Sequence, residues 1–227
     1  MNKIRRLWEE RSEKYKYDIR GVLPKSFPNW LNAVLHNWTS GQVKYQISNF
    51  KPQKVLDLGC GYGRVAYEII KNFPKCQVIG IDISKSYVEM FNANLAPRGR
   101  AYRGNIKNIK FRSNSFDVVY MITTLMYLVN KKDQEKAVSE IMRVLKPKGR
   151  FVFIERNPLG HKLLTLGGII TSLRGKKHKE IESVSFTRKE LTFLITNAGG
   201  KIQSIDSFPF GAFTAPSLYI SYTGTKK

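Results

Sequence analysis

Beyond Pro52 the chain alternates short apolar runs with longer stretches whose apolar positions recur at helical spacing. The runs KVLDLG, QVIGID, RAYRG, FDVVYMI, GRFVFIE, KIQSIDSF and SLYISYTG read as strands. Helices are predicted near Gly63–Asn72, Lys85–Asn94, Asp133–Val144 and Thr187–Asn197. The last opens on a capping box, Thr187 with Glu190 three residues on, and stops at Gly199-Gly200. Strand and helix in alternation predict an α/β fold with a doubly wound, mostly parallel sheet. Residues 1–50 follow a different pattern. Ile4, Leu7 and Trp8 mark one short helical face, and Trp30, Leu31, Val34, Leu35 and Trp38 mark a clearer one, with the break GVLPKSFP between them. No repeat or low-complexity linker divides the chain. The expectation is a helical extension over 1–50 followed by one domain over 51–227.

Composition narrows this picture in one respect. Thirty-nine Lys and Arg against 17 Asp and Glu give the 227 residues a net charge of +22. Such an excess suits polyanionic partners, either nucleic acid or an anionic membrane surface, or else a lysine-rich solubilising surface. Six basic residues and no acidic one fall between Pro97 and Arg112, and a second cluster, RGKKHK, spans Arg174 to Lys179. Neither cluster has the aromatic interleaving of a platform for stacked bases. Cys60 and Cys76 match no zinc spacing and are too few for a disulfide scaffold, so no metal and a reducing cytoplasm are expected. The charged start MNKIRRLWEERSEKYKYDIR has no signal-peptide core, and no run reaches the ~18 apolar residues of a spanning helix.

Candidate chemistry begins at VLDLGCGYGRV, where a strand breaks into Gly59, Gly61 and Gly63 and feeds a helix. The spacing is one residue tighter than the dinucleotide fingerprint, and no Lys-Ser/Thr pair follows to make a triphosphate loop. Asp57 precedes the first glycine by two residues; a carboxylate at the mouth of the site would repel a pyrophosphate. Asp82 ends the next apolar strand, where a carboxylate accepts hydrogen bonds from ribose hydroxyls. A ligand with a free ribose, no phosphate and a positive charge satisfies these features, and S-adenosylmethionine is such a ligand. The alternative is that Asp57 braces the turn and Asp82 caps the following helix.

These motifs resemble those of the class I S-adenosylmethionine-dependent methyltransferases, in the family's order, from Val55 to the C-terminus. The resemblance implies that Asp57, Gly59, Cys60, Gly61 and Tyr62 hold the methionine portion of the cofactor. It implies further that Asp82 takes the ribose, with Ile83 against the adenine. In RGNIKNI, Asn105 stands where the family usually has Asp, and with Ile106 it is expected at the adenine. Lys148 stands where glycine is commoner. A Rossmann-like, seven-stranded sheet with an antiparallel last strand is also implied. The substrate would be held by the parts least shared among members, the N-terminal helices as a cap and the segment after FVFIE.

Methyl transfer from a sulfonium chiefly needs alignment, with a base only for a weakly acidic nucleophile. The candidates are His161 and Glu155 after or at the end of the fifth strand and Tyr127 after the fourth, each with a structural alternative; His36 reads as packing and His178 as solvated. No Asn-Pro-Pro-Tyr or Asp-Pro-Pro-Tyr follows the fourth strand, which lowers methylation of exocyclic amines on nucleic-acid bases. The leading expectation is O-methylation, or C-methylation, of a small or lipid- or glycan-linked substrate. An RNA methyltransferase and a non-catalytic cofactor-binding partner subunit are the alternatives. The apolar run LLTLGGIITSL (163–173) with the basic cluster behind it predicts a lid or a segment lying in an anionic membrane interface, and hence a cytoplasmic protein with peripheral contact at the inner membrane face.

Overall fold

The structure is a computed structural model, and it describes residues 3–25, 27–160, 162, 181–208 and 217–227. Its centre is a seven-stranded sheet in the order β3-β2-β1-β4-β5-β7-β6. The strands are β1 (Lys54–Leu58), β2 (Gln77–Asp82), β3 (Gly99–Arg103), β4 (Phe116–Ile122), β5 (Leu145–Arg156), β6 (Gly200–Phe208) and β7 (Tyr219–Lys226). All seven lie where the apolar runs placed them. β1 to β5 pair in parallel, and β7 runs antiparallel between β5 and β6. The run FDVVYMI has no polar alternation because β4 is central and covered on both faces.

Helices α1 (Lys3–Tyr15), α2 (Asn29–Ser48), α3 (Arg64–Asn72), α4 (Lys85–Leu95), α5 (Lys131–Val144) and α6 (Arg188–Asn197) flank the sheet. One core joins α2, α3 and α4 to Val55, Val118 and Val152; the other joins α5 and α6 to Leu56, Val119 and Phe153. The two-residue period of the strands sorts the side chains between them. The starts of α4, α5 and α6 carry side-chain caps: Ser84 accepts from Tyr87 N, Asn130 from Lys132 N, and Thr187 forms the expected capping box with Glu190.

The first 50 residues are built into one sheet face, since Leu23, Phe27, Leu35, Val43 and Ile47 share a core with Val55. The face that α2 presents differs from the sequence expectation. Leu35, Val43 and Ile47 are buried together with Asn32, Thr39 and Ser40, whereas Trp30 is 68% and Val34 44% exposed. The polar residues are tolerated inside because each finds a local acceptor. Asn32 Nδ2 donates to Pro24 O, and the Thr39 and Ser40 hydroxyls donate to His36 O.

α1 is attached through polar contacts. Glu9 accepts hydrogen bonds from Lys85 N, Ser86 N and Ser86 Oγ at the start of α4, and Ser12 Oγ meets Ser84 Oγ at 3.0 Å. A carboxylate at a helix N-terminus is favoured by the exposed N–H groups there. Lys148, in the turn inside β5, takes φ +60°, a left-handed conformation that explains why glycine suits the position. No helix among the described residues is long and apolar enough to cross a membrane. His161, the 163–173 run and the RGKKHK cluster lie outside the described residues.

Candidate functional site

A cleft of about 370 Å³ opens at the C-terminal ends of β1, β2 and β4. β1 pairs with β2 on one side and β4 on the other, and at such a switch in strand order open sheets place their ligands. The glycine turn forms its floor. Gly59, Gly61 and Gly63 have φ of +73°, +53° and +88°, which a side chain would make costly. Gly59 N and Cys60 N both donate to Ile81 O, tying the turn to β2.

Asp82 stands on the cleft wall. Its Oδ2 accepts from Gly61 N and its Oδ1 from Ser84 N, both at 2.9 Å. Each oxygen keeps a further lone pair for a ligand. Burial raises its pKa to about 6, against the opposing pull of those backbone donors. Ile83, Asn105 and Ile106 continue the wall. Asn105 Oδ1 accepts from Lys107 N, an Asx-type turn that leaves its amide nitrogen outside that bond. The cleft therefore brings together six of the nine residues named from sequence: Gly59, Gly61, Asp82, Ile83, Asn105 and Ile106.

Asp57, Cys60 and Tyr62 lie off that wall. Strand alternation turns Asp57 onto the α2–α4 face, beneath the turn, so it is not at the mouth of the site. There Tyr120 Oη donates to its Oδ2 at 2.6 Å. Burial pushes the Asp57 carboxyl up to about 7, opposed by the Tyr120 hydroxyl and the Arg64 charge. Cys60 is buried with its Sγ against Gly80, where a Cβ would stand 2.7 Å away. Tyr62 is half-buried, with its ring 5.9 Å from Tyr17 and 6.5 Å from Tyr87. His36 packs nearby as the partner of Arg64, Nδ1 to Nη1 at 2.9 Å, and burial lowers its pKa.

The Asp57–Tyr120 pair yields a prediction. Because the folded value is raised, the native protein retains a proton that the unfolded chain has lost, so this group costs stability as pH rises from about 4 to 7. Tyr120→Phe removes the donor that favours the carboxylate and leaves a buried acceptor unpaired, a cost of about 1–3 kcal/mol. Its deficit in thermal midpoint is expected to be larger at about pH 8 than at about pH 5. An equal deficit at both would mean that Asp57 does not titrate in the folded protein.

The opposite wall comes from the N-terminal helices that the resemblance implied as a cap, but which of their residues face the cleft was not legible. Ile4, Leu7 and Trp8 of α1, with Val22, face the cleft. The apolar spacing of α1 was visible, but the spacing alone did not say that its apolar side faces this cleft. Tyr127 lies on this wall, its ring edge-on to Trp8 at 5.0 Å and 86°. Lys107 and Asp133, also on the lining, pair at 2.6 Å. Between the walls run Thr123, at φ +50°, and Thr124. Glu155 lies behind them. Its Oε1 accepts from Thr124 N at 3.0 Å and Leu125 N at 2.8 Å, its Oε2 is buried without a hydrogen-bond partner, and burial raises its pKa to about 8. Of the three base candidates, Tyr127 is on the cleft, Glu155 supports the loop beside it, and His161 is outside the described residues. No group of three His, Cys, Asp or Glu able to hold a metal occurs among the described residues.

A protein family described as a methyltransferase domain matches residues 55–149. The demethylmenaquinone methyltransferase of Thermotoga maritima is 34% identical over 52% of this chain and 50% of its own length. The chain thus spans about half the length of that relative. A ubiquinone/menaquinone biosynthesis C-methyltransferase of Geobacter sulfurreducens is 28% identical over 96% of this chain and 90% of its own. Among solved structures, magnesium protoporphyrin IX methyltransferase from Synechocystis PCC 6803, with S-adenosylhomocysteine bound, superposes with a TM-score of 0.73. That likeness has 15% identity and covers 99% of this chain and 98% of the other. Order of strands, glycine turn and family match agree: residues 55–149 match a methyltransferase domain, and the chain has the fold of the Synechocystis methyltransferase.

Proposed function

We propose that this protein is an S-adenosylmethionine-dependent methyltransferase acting on a small or lipid-linked acceptor that carries an acidic hydroxyl. The observation that carries the reading is Asp82, held by two backbone N–H groups on the wall of a cleft whose floor is a glycine turn. The residues suit the cofactor. Asp82 offers lone pairs to vicinal hydroxyls, Asn105 an amide, Ile83 and Ile106 apolar faces for a flat base, and Gly59 and Gly61 a floor without side chains. None of these would welcome a pyrophosphate, because the only charge among them is negative.

The bound cofactor supplies an activated methyl group on a sulfonium. The chain's part is to exclude water and align the acceptor, which is worth up to about 7–11 kcal/mol. Ile4, Leu7, Trp8, Val22 and Tyr127 form an apolar wall suited to a ring or prenyl-like acceptor. The names of the quinone and menaquinone relatives support an acceptor of this kind, and that of the Geobacter sulfurreducens relative points to carbon as the methylated atom, with oxygen the alternative. An acidic hydroxyl ionises without a strong base, in keeping with a wall built of Ile4, Leu7, Trp8 and Val22.

The test has two stages. In calorimetry, S-adenosylmethionine and S-adenosylhomocysteine are expected to bind, whereas NAD and ATP at millimolar concentration do not compete. Protein loaded with methyl-labelled cofactor and mixed with fractionated extract should then place label in the small-molecule or lipid fraction, where product NMR separates methoxy from C-methyl. Label in RNA would replace the acceptor class, and strong competition by NAD would remove the cofactor assignment.

A further inference from the structure

We propose that the end of α1, the connection after it and the first half of α2 form a surface that docks on an anionic lipid bilayer beside the mouth of the cleft. The surface is aromatic, apolar and basic. Tyr17 is 49%, Trp30 68% and Val34 44% exposed. Lys14, Lys16, Arg20 and Lys25 are exposed among them. Residues 14–34 contain one acid, Asp18, and Arg20 holds it with Nε and Nη2. The outer side of α2 is uncharged where Trp30, Ala33, Val34 and Asn37 lie exposed. Basic groups ringing an uncharged face that bears a Trp make a bilayer interface contact, with the ring among headgroups and the cations on lipid phosphates.

The surface is preformed. Arg11 Nη2 donates to Arg20 O and Leu23 O, Asn32 Nδ2 to Pro24 O, and Tyr87 Oη to Gly21 O. These bonds fix α1, the connection and α2 as one face. Its place relative to the cleft is also fixed. Trp38 meets Phe208, the last residue of β6, with ring centres 5.2 Å apart, so Trp30 and Val34 precede it towards the sheet end where the cleft opens. Val22, in the same connection, lines the cleft.

Charge decides among occupants. A second copy of this chain brings another +22 to the contact, whereas an anionic bilayer is complementary to it. The inference rests on the reading of the acceptor as lipid-linked and says where that acceptor is met. It is tested without acceptor or turnover, so its failure and that of the enzymatic reading are separable.

The experiment is co-sedimentation at low salt with vesicles of equal parts phosphatidylglycerol and phosphatidylcholine, and with phosphatidylcholine alone. Wild type is expected to sediment with the anionic vesicles only. Trp30→Ser/Val34→Ser and, separately, Lys16→Glu/Lys25→Glu should each lower partitioning at least about tenfold. None of the four residues lines the cleft, and unchanged thermal midpoints report that the variants are folded. Wild type that stays in the supernatant overturns the proposal, as does sedimentation of the variants equal to wild type. Retention of wild type by RNA but not by vesicles overturns it in favour of a nucleic acid.

Discussion

Asp82→Ala is expected to weaken S-adenosylmethionine binding by about a hundredfold or more while the protein stays folded. Two charge-assisted hydrogen bonds to a ligand, at about 1.5–3 kcal/mol each, give that magnitude. The side chain also anchors Gly61 N and Ser84 N, so its loss loosens the turn and the start of α4 as well. Asn is no conservative replacement. Its amide nitrogen would face one of two backbone donors that now meet carboxylate oxygens. Calorimetry at near wild-type affinity for Asp82→Ala, with an unchanged thermal midpoint, would strip the cleft of its cofactor assignment.

The second large effect concerns Gly59→Ala. A Cβ there would overlap Thr124 Oγ1 and stand 2.7 Å from its Cγ2. Thr124 has little room to yield. Its hydroxyl shares one proton between Leu58 O at the end of β1 and Ile122 O at the end of β4, and its N–H is held by Glu155. The left-handed φ adds about 1–2 kcal/mol of backbone strain. A total destabilisation of about 3 kcal/mol or more is expected, with loss of cofactor binding. The clash and the strain separate in a double-mutant cycle. Thr124→Gly removes the three atoms that stand nearest the new methyl, so Gly59→Ala/Thr124→Gly should recover the steric part and retain the backbone part. Additive effects in urea unfolding would show that the two residues do not collide.

Much of this architecture was legible in the chain because the signals were local and mutually consistent. Each strand of a covered parallel sheet is a short apolar run, and each helix after Pro52 has its own periodicity and, in α6, its own cap. The glycine turn and Asp82 were legible for the same reason, since a strand end is marked by where its apolar run stops. What escaped depends on contacts between distant segments. The face of α2 was misjudged because Asn32, Thr39 and Ser40 hide their polar atoms on backbone carbonyls, which no hydrophobic pattern reveals. Asp57 was placed on the wrong side of its turn, although its position between Leu56 and Leu58, both in the α5–α6 core, held the clue. Thr124 and the Glu155 carboxylate behind it carry no motif; their relation exists only when β4 and β5 lie side by side.

The Glu9 clasp ties the two sides of the cleft into one thermodynamic unit. Lys85 and Ser86, which it grips, follow directly on the Asp82–Ser84 segment that faces the cofactor, while its own helix supplies the acceptor wall. Whatever steadies one end of that connection steadies the other, and linkage makes the effect mutual. If the cleft holds cofactor and acceptor as proposed, a filled ribose pocket would tighten the α1 roof over the acceptor, and a seated acceptor would tighten the cofactor site. Under the proposed function each ligand would raise the affinity for the other by one common factor, whichever is bound first.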